Sequence, residues 1–304
     1  MVLLLMKKLS LKIKKSVFQT FISLLIVIFA FNSACLAFSG LKFSAKGEEA
    51  RFTPVYVMLA ETYLSHGNYN KAKTFLLKSV KYDPDNVQAR FDLGLVYEIL
   101  DELQNAITQY NKIIKQDPDN KEVNYYLGLL YDRTGETDKA LNYLHKAVEL
   151  MPYNSAVYYD VGVIYARENE YEESLYYNKK AVELKPDFAE AFNNLCYAQA
   201  NIGKYKTAYS NCKKAVELTP KSAPALDSMG FVYFGLGKYL EAIEYYKKAL
   251  EIDSDISEIY LHLGQVYQKL DNNPEAINYY KKYIEKEQDK EKIKEIKSVI
   301  NKLK

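Results

Sequence analysis

Few residues in this chain of 304 could do chemistry: three histidines, three cysteines and some adjacent acids. His66, His145 and His262 are metal-ligand and proton-carrier types. They stand about 80 and 117 residues apart, with no second His or Cys at ligand spacing. Glu172 and Glu173 pair two carboxylates, as general acid–base chemistry would require. They open a helical stretch, where negative charge simply favours the helix dipole. The glycines sit in packing and turn positions and build no phosphate loop. Cys196 and Cys212 are either a disulfide formed in an oxidising compartment or two small buried thiols filling apolar positions. The thiol reading is preferred, because a bond also requires the right separation between two helices. The expectation is a protein with no catalytic residue, no metal and no cofactor.

Composition narrows the class. Lys and Arg number 41 against 39 Asp and Glu, a formal charge of +2, which excludes a strongly basic nucleic-acid binder. A hydrophobic share of 48% excludes wholesale disorder, and 12 glycines with 8 prolines exclude a linker-like or collagenous chain. Tyrosine is abundant, 29 residues, and tryptophan is absent.

The first 37 residues read as an export segment. Lys7, Lys8, Lys12, Lys14 and Lys15 precede an apolar run over 21–31, followed by Ser33, Ala34, Cys35 and Ala37. This is the positive, apolar, small order of a secretory signal. Three outcomes stay open: cleavage after Ala37, retention as an anchor, or acylation at Cys35. Asn32 stands where the lipoprotein pattern places an aliphatic residue. In each case the lysines stay cytoplasmic and the rest of the chain lies across the membrane, periplasmic or otherwise extracytoplasmic. Without residues 1–37 the bases fall by five to 36, against 39 acids, a net −3.

From residue 53 the chain repeats itself every 34 residues, in units starting at Thr53, Val87, Lys121, Ser155, Ala189, Ala223 and Ser257. Position 8 of each unit is small: Ala60, Gly94, Gly128, Gly162, Cys196, Gly230, Gly264. Position 11 is Tyr in every unit but the fifth, which has Gln199. Position 15 is Gly, Asn or Asp throughout, the residues that best tolerate the left-handed conformation that stops a helix. Position 32 is Pro in the first five units and closes a second helix. Each unit therefore reads as a helical hairpin that cannot bury both faces alone, so the units must stack. Residues 38–52 read as a tether. Residues 291–304 carry Ile293, Ile296, Ile300 and Leu303 among lysines, a polar-backed cap for the end of the stack. The last two units lack the proline, so the final second helix is expected to run on toward that cap.

The unit resembles the tetratricopeptide repeat, whose 34-residue pattern runs Trp, Leu-Gly, Tyr, Ala, Phe, Pro. The resemblance covers residues 53–290, with Tyr56, Arg90, Asn124, Tyr158, Phe192, Leu226 and Tyr260 in the Trp position. It implies an all-α fold: a right-handed α-solenoid of seven helical hairpins with a C-terminal capping helix. It also implies a protein–protein interaction scaffold whose first helices line a concave groove that holds a partner segment.

In that frame, positions 2, 5, 6, 9, 12 and 13 face the groove. Nine of these 42 residues are acidic (Glu61, Asp92, Glu98, Glu122, Asp132, Asp160, Glu190, Asp227, Glu258) and three are basic (Arg133, Arg167, Lys269). The expectation is an acidic groove and a basic outer face. Phe91, Tyr125 and Tyr159 place an aromatic at position 5 of three successive units, and Tyr126 and Tyr197 add to them. The expected partner site is Phe91, Asp92, Tyr125, Tyr126, Tyr159, Asp160 and Tyr197, with the aromatics as anchors. The partner would be a peptide or helix segment, basic or apolar; no nucleic acid is expected, and the membrane only through the N-terminal segment. The alternatives are a carbohydrate- or cell-wall-binding module and a structural subunit of an envelope assembly.

Overall fold

A computed structural model describes residues 52–304. The export segment, Cys35 and the tether up to residue 51 lie outside the described residues. Among the described residues there are fifteen helices and no strand. None of these described helices is long and apolar enough to cross a membrane. Two compact bodies are present, one ending at Asn86 and one spanning Val87–Lys304. The first holds one hairpin, α1 (Thr53–Ser65) and α2 (Tyr69–Tyr82). The second is a solenoid of six hairpins: α3 (Val87–Ile99) with α4 (Leu103–Gln116), α5 (Lys121–Arg133) with α6 (Thr137–Leu150), and α7 (Ser155–Arg167) with α8 (Tyr171–Leu184). Then come α9 (Ala189–Asn201) with α10 (Tyr205–Leu218), α11 (Ala223–Gly235) with α12 (Tyr239–Ile252), and α13 (Ser257–Lys269) with α14 (Asn273–Lys286), closed by α15 (Lys290–Leu303).

All seven hairpin turns have one construction. The residue at position 15 has a positive φ in every unit, from +55° at Asp271 to +77° at Gly135. Its N–H bonds to the carbonyl of position 12, and the next N–H reaches back to position 11, as Gly135 to Asp132 (3.0 Å) and Glu136 to Tyr131 (2.8 Å) show. This paired bonding satisfies carbonyls that the ending helix would leave bare. Position 11 contributes only its backbone, so Gln199 supports the turn as well as a tyrosine does: Lys204 N–H reaches its carbonyl at 2.9 Å.

The small residue at position 8 is explained by the side chain it faces. A methyl group added at Gly94, Gly230 or Gly264 would overlap the ring of Tyr110, Tyr246 or Tyr280 at position 24. At Gly128 and Gly162 the same place is taken by Leu144 and Asn178. A large side chain of the second helix thus plugs into the glycine of the first. The fifth unit is built otherwise, because Cys196 and Cys212 occupy positions 8 and 24, fully buried, and are joined by a disulfide. The expectation of two separate thiols is corrected: their Cα atoms are 5.2 Å apart, within the span a disulfide bridges.

Positions 11 and 23 form a second repeated contact. Their rings stack in Tyr63–Phe75, Tyr131–Tyr143, Tyr165–Tyr177, Tyr233–Tyr245 and Tyr267–Tyr279, with centroids 5.3–5.5 Å apart. In the fifth unit both partners change together, and Asn211 donates to Gln199 at 2.8 Å.

The end of the solenoid differs from the expectation of an unbroken helix. α14 stops at Lys286, and Asp289 caps α15 by accepting from the N–H groups of Glu291 and Lys292. Glu287 closes the corner, accepting from the Tyr283 hydroxyl (2.7 Å) and from two backbone N–H groups. Side-chain capping does here what proline does in the first five units. α15 lays Ile296, Val299, Ile300 and Leu303 on a cluster that contains Tyr280.

Candidate interaction cleft

The first helices of successive units meet through a repeated side-chain rung, position 5 of one unit against position 6 of the next. Phe91 packs edge-on against Tyr126, with centroids 5.3 Å apart. The Tyr125 hydroxyl donates to Asp160 Oδ2 at 2.6 Å. Tyr159 and Asn194 hold the corresponding positions of the next pair, and both line one cleft. Asp227 Oδ1 and His262 Nδ1 lie 2.9 Å apart. Period 34 with a one-residue offset places these residues side by side on one face.

The seven residues expected to form the partner site divide into two groups. Phe91, Tyr125 and Tyr126 are half-buried and join Tyr110, whose ring is fully buried, in one aromatic cluster with centroids 5.3–5.9 Å apart. Asp92 is buried and accepts from Gln88 at 2.8 Å. Asp160 is held by Tyr125, and burial pushes its carboxyl above the usual carboxylate range. Tyr159 and Tyr197 instead border open space. Tyr159 packs on Phe188 with centroids 4.8 Å apart. Tyr197 is 37% exposed, between Tyr171 and Phe231.

That open space is a cleft in two parts. One, of about 770 Å³, is bounded by Tyr159, Glu190, Pro224 and the loop over residues 219–222. The other, of about 430 Å³, is bounded by Arg167, Tyr197, Asp227, Glu258 and His262. Asn193, Asn194 and Pro224 border both. The cleft lies over α7, α9, α11 and α13.

The acids expected to charge this face are largely engaged within it. Asp132 pairs with Arg167, Asp227 with His262, and Glu98 accepts from the Tyr110 hydroxyl at 2.7 Å. Burial raises the Glu98 carboxyl. Glu190 and Glu258 remain exposed at the cleft. His262, isolated in the sequence, is the residue whose setting the sequence least reveals. Burial alone would lower its imidazole, but the Asp227 carboxylate, with help from Glu258, holds it above the ordinary range. Its ring lies between Phe231 and Tyr246, with centroids 5.8 and 5.3 Å away. His145, stacked on Tyr165 and Tyr177, is lowered by burial. The sequence did carry a signal for the cleft: the aromatic run at position 5 ends at Asn193. Ranking aromatics as anchors passes over that change.

Sequence models of the tetratricopeptide repeat match residues 57–121, 121–154, 155–188 and 221–286. The chain is built of tetratricopeptide repeats. A TPR repeat-containing protein of Methanocaldococcus jannaschii is 36% identical over 59 residues, which is 19% of this chain and 18% of that protein. A tetratricopeptide repeat protein from Parabacteroides merdae superposes with a TM-score of 0.64 at 19% identity, covering 81% of this chain and 97% of that one. YrrB, described as a TPR protein with an unusual peptide-binding site, superposes at 0.54 with 23% identity over 62% of this chain and 96% of its own. At these identities the two structures share the fold alone.

Proposed function

We propose that this protein is an exported interaction scaffold that holds a segment of another protein in the cleft over α7, α9, α11 and α13. One observation carries the reading. The rungs from Phe91 to Asp160 close the first-helix face with packed side chains, whereas Tyr159 and Tyr197 stand at the edge of open space. Rigid amphipathic rings beside a cleft are the usual anchors of a binding surface. The lysine-led apolar segment supports export, and the Cys196–Cys212 bond suits an oxidising compartment. The peptide-binding site attributed to YrrB supports a peptide as the partner. The test is photo-crosslinking from position 190, exposed at the cleft, in cells, followed by identification of the captured chain. A captured protein is expected to disappear when Tyr159 and Tyr197 are both changed to Ala. Capture that survives those changes refutes the cleft as the binding site.

A further inference from the structure

We infer that α15, the helix that closes the solenoid, is also a contact surface for an anionic phospholipid bilayer. This contact is separate from the cleft and does not depend on what the cleft holds. Its first support is charge. Lys290, Lys292, Lys294, Lys297, Lys302 and Lys304 stand against Glu291 and Glu295, a net +4 over residues 290–304. Residues 38–304 together carry −3, so residues 38–289 carry −7. One helix therefore opposes in sign the body it closes. All six lysines are exposed. Among the described residues only two of them meet an acid, Lys292 at Glu287 (3.8 Å) and Lys294 at Glu291 (3.7 Å), and both lysines stay largely in water. Such pairs neutralise little.

The second support is how lightly α15 is seated. Ile293, Ile296, Val299, Ile300 and Leu303 recur at helical spacing and form one apolar stripe. Only Ile300 is buried; the other four are half-exposed, and Ile293 lies outside the cluster around Tyr280. Every other described helix buries two or more residues. A single hydrogen bond, from Asn273 Nδ2 to the Leu303 carbonyl at 3.3 Å, ties the far end of α15 to α14. The joint over residues 287–289 is not helical, so α15 can swing as one piece. A helix in a membrane interface sinks an apolar stripe to the acyl boundary while lysines reach the headgroups. α15 offers both along its 14 residues. The stripe that half-covers α14 is the stripe a bilayer takes up, and lipid burial replaces its contact with the Tyr280 cluster. A folded acidic protein would answer the lysines without using the stripe; the two features together select lipid. The acidic remainder of the chain is repelled by the same surface, which leaves α15 as the point of contact.

The chain has no tryptophan, so Ile293→Trp gives α15 a single fluorescent reporter. The full-length variant is titrated with vesicles of phosphatidylcholine alone, and with vesicles of equal parts phosphatidylcholine and phosphatidylglycerol. Its emission should shift to the blue with the anionic vesicles only, and the shift should fade as salt is raised. Leu240→Trp, at an exposed site on α12, should show no shift. The N-terminal segment is common to both variants, so a difference between them belongs to α15. Changing Lys294, Lys297 and Lys304 to Gln beside Ile293→Trp should raise the lipid needed for half the shift, about fivefold for each lysine. The same three changed to Arg should leave it as it was. Neither set should alter the melting temperature, because all three side chains are exposed. An equal shift on neutral vesicles, or a Gln set that responds like its parent, overturns the role of the lysines. A shift on poly-glutamate without lipid assigns α15 to an acidic protein and overturns the bilayer. No shift on any vesicle overturns the membrane contact and leaves the scaffold reading intact, since capture at the cleft decides that reading.

Discussion

The fifth hairpin offers a direct test of how these repeats are held together. Elsewhere in the solenoid, position 8 is glycine and position 24 a large side chain plugged into it; here both are cysteine and the plug is a covalent bond. Changing both Cys196 and Cys212 to Ala removes the bond and leaves two small residues facing each other. The closed loop has a sequence separation of 16, for which chain entropy gives a stabilisation of about 3 kcal/mol. For a body of this size that is a fall in melting temperature of roughly 6–12 °C. Circular dichroism melts with and without a phosphine reductant read it directly: wild type should drop on reduction and the Ala pair should not respond. The decisive variant is Cys196→Gly with Cys212→Tyr, the pair found in three other units. It should recover most of the loss and ignore the reductant. Cys212→Tyr alone should be the worst of the set, since a methylene at position 8 would overlap the ring, as it would at Gly94, Gly230 and Gly264. If the Gly–Tyr pair is no more stable than the Ala pair, the equivalence of bond and plug is wrong. If wild type ignores the reductant, the bond contributes nothing.

Three further outcomes follow from named contacts. Deleting residues 291–304 uncovers the apolar side of α14 around Tyr280, and analytical ultracentrifugation should show association; a monomer of unchanged stability would refute the capping role. The His262 imidazole is held above its ordinary value of about 6.5, so its contribution is complete below that value and is lost as pH rises through the raised one. Wild type should therefore exceed His262→Gln in stability most at about pH 5.5 and least near pH 8.5, and a gap that does not change with pH would exclude the Asp227–His262 pairing. Mass spectrometry of the mature protein should find an N-terminus near Phe38 or a lipidated Cys35, and an intact Met1 or Met6 end would rule out cleavage and lipidation.

The repeat was legible because each of its constraints is local and recurs seven times. A left-handed residue must be Gly, Asn or Asp, and positions 67, 101, 135, 169, 203, 237 and 271 all comply, each with positive φ. Helix periodicity and the 34-residue spacing then leave a stack of hairpins as the way to bury both faces. The small residue at position 8 was equally visible, although its partner, the side chain at position 24, emerged only when the two helices were set together. What tertiary structure alone decided is which residues face space. Tyr125 and Tyr159 hold the same position in adjacent units. One is fastened to Asp160 in a closed rung and the other borders a cleft, because the neighbouring units differ in what they place opposite. The sequence offered the Cys196–Cys212 bond as one of two readings without deciding between them, and the pairing of His262 with Asp227 and the unpartnered oxygen of Asn193 were absent from the pattern. Each depends on distances between side chains of different helices, and a sequence period records the order of residues but no distance across the gap between two packed helices.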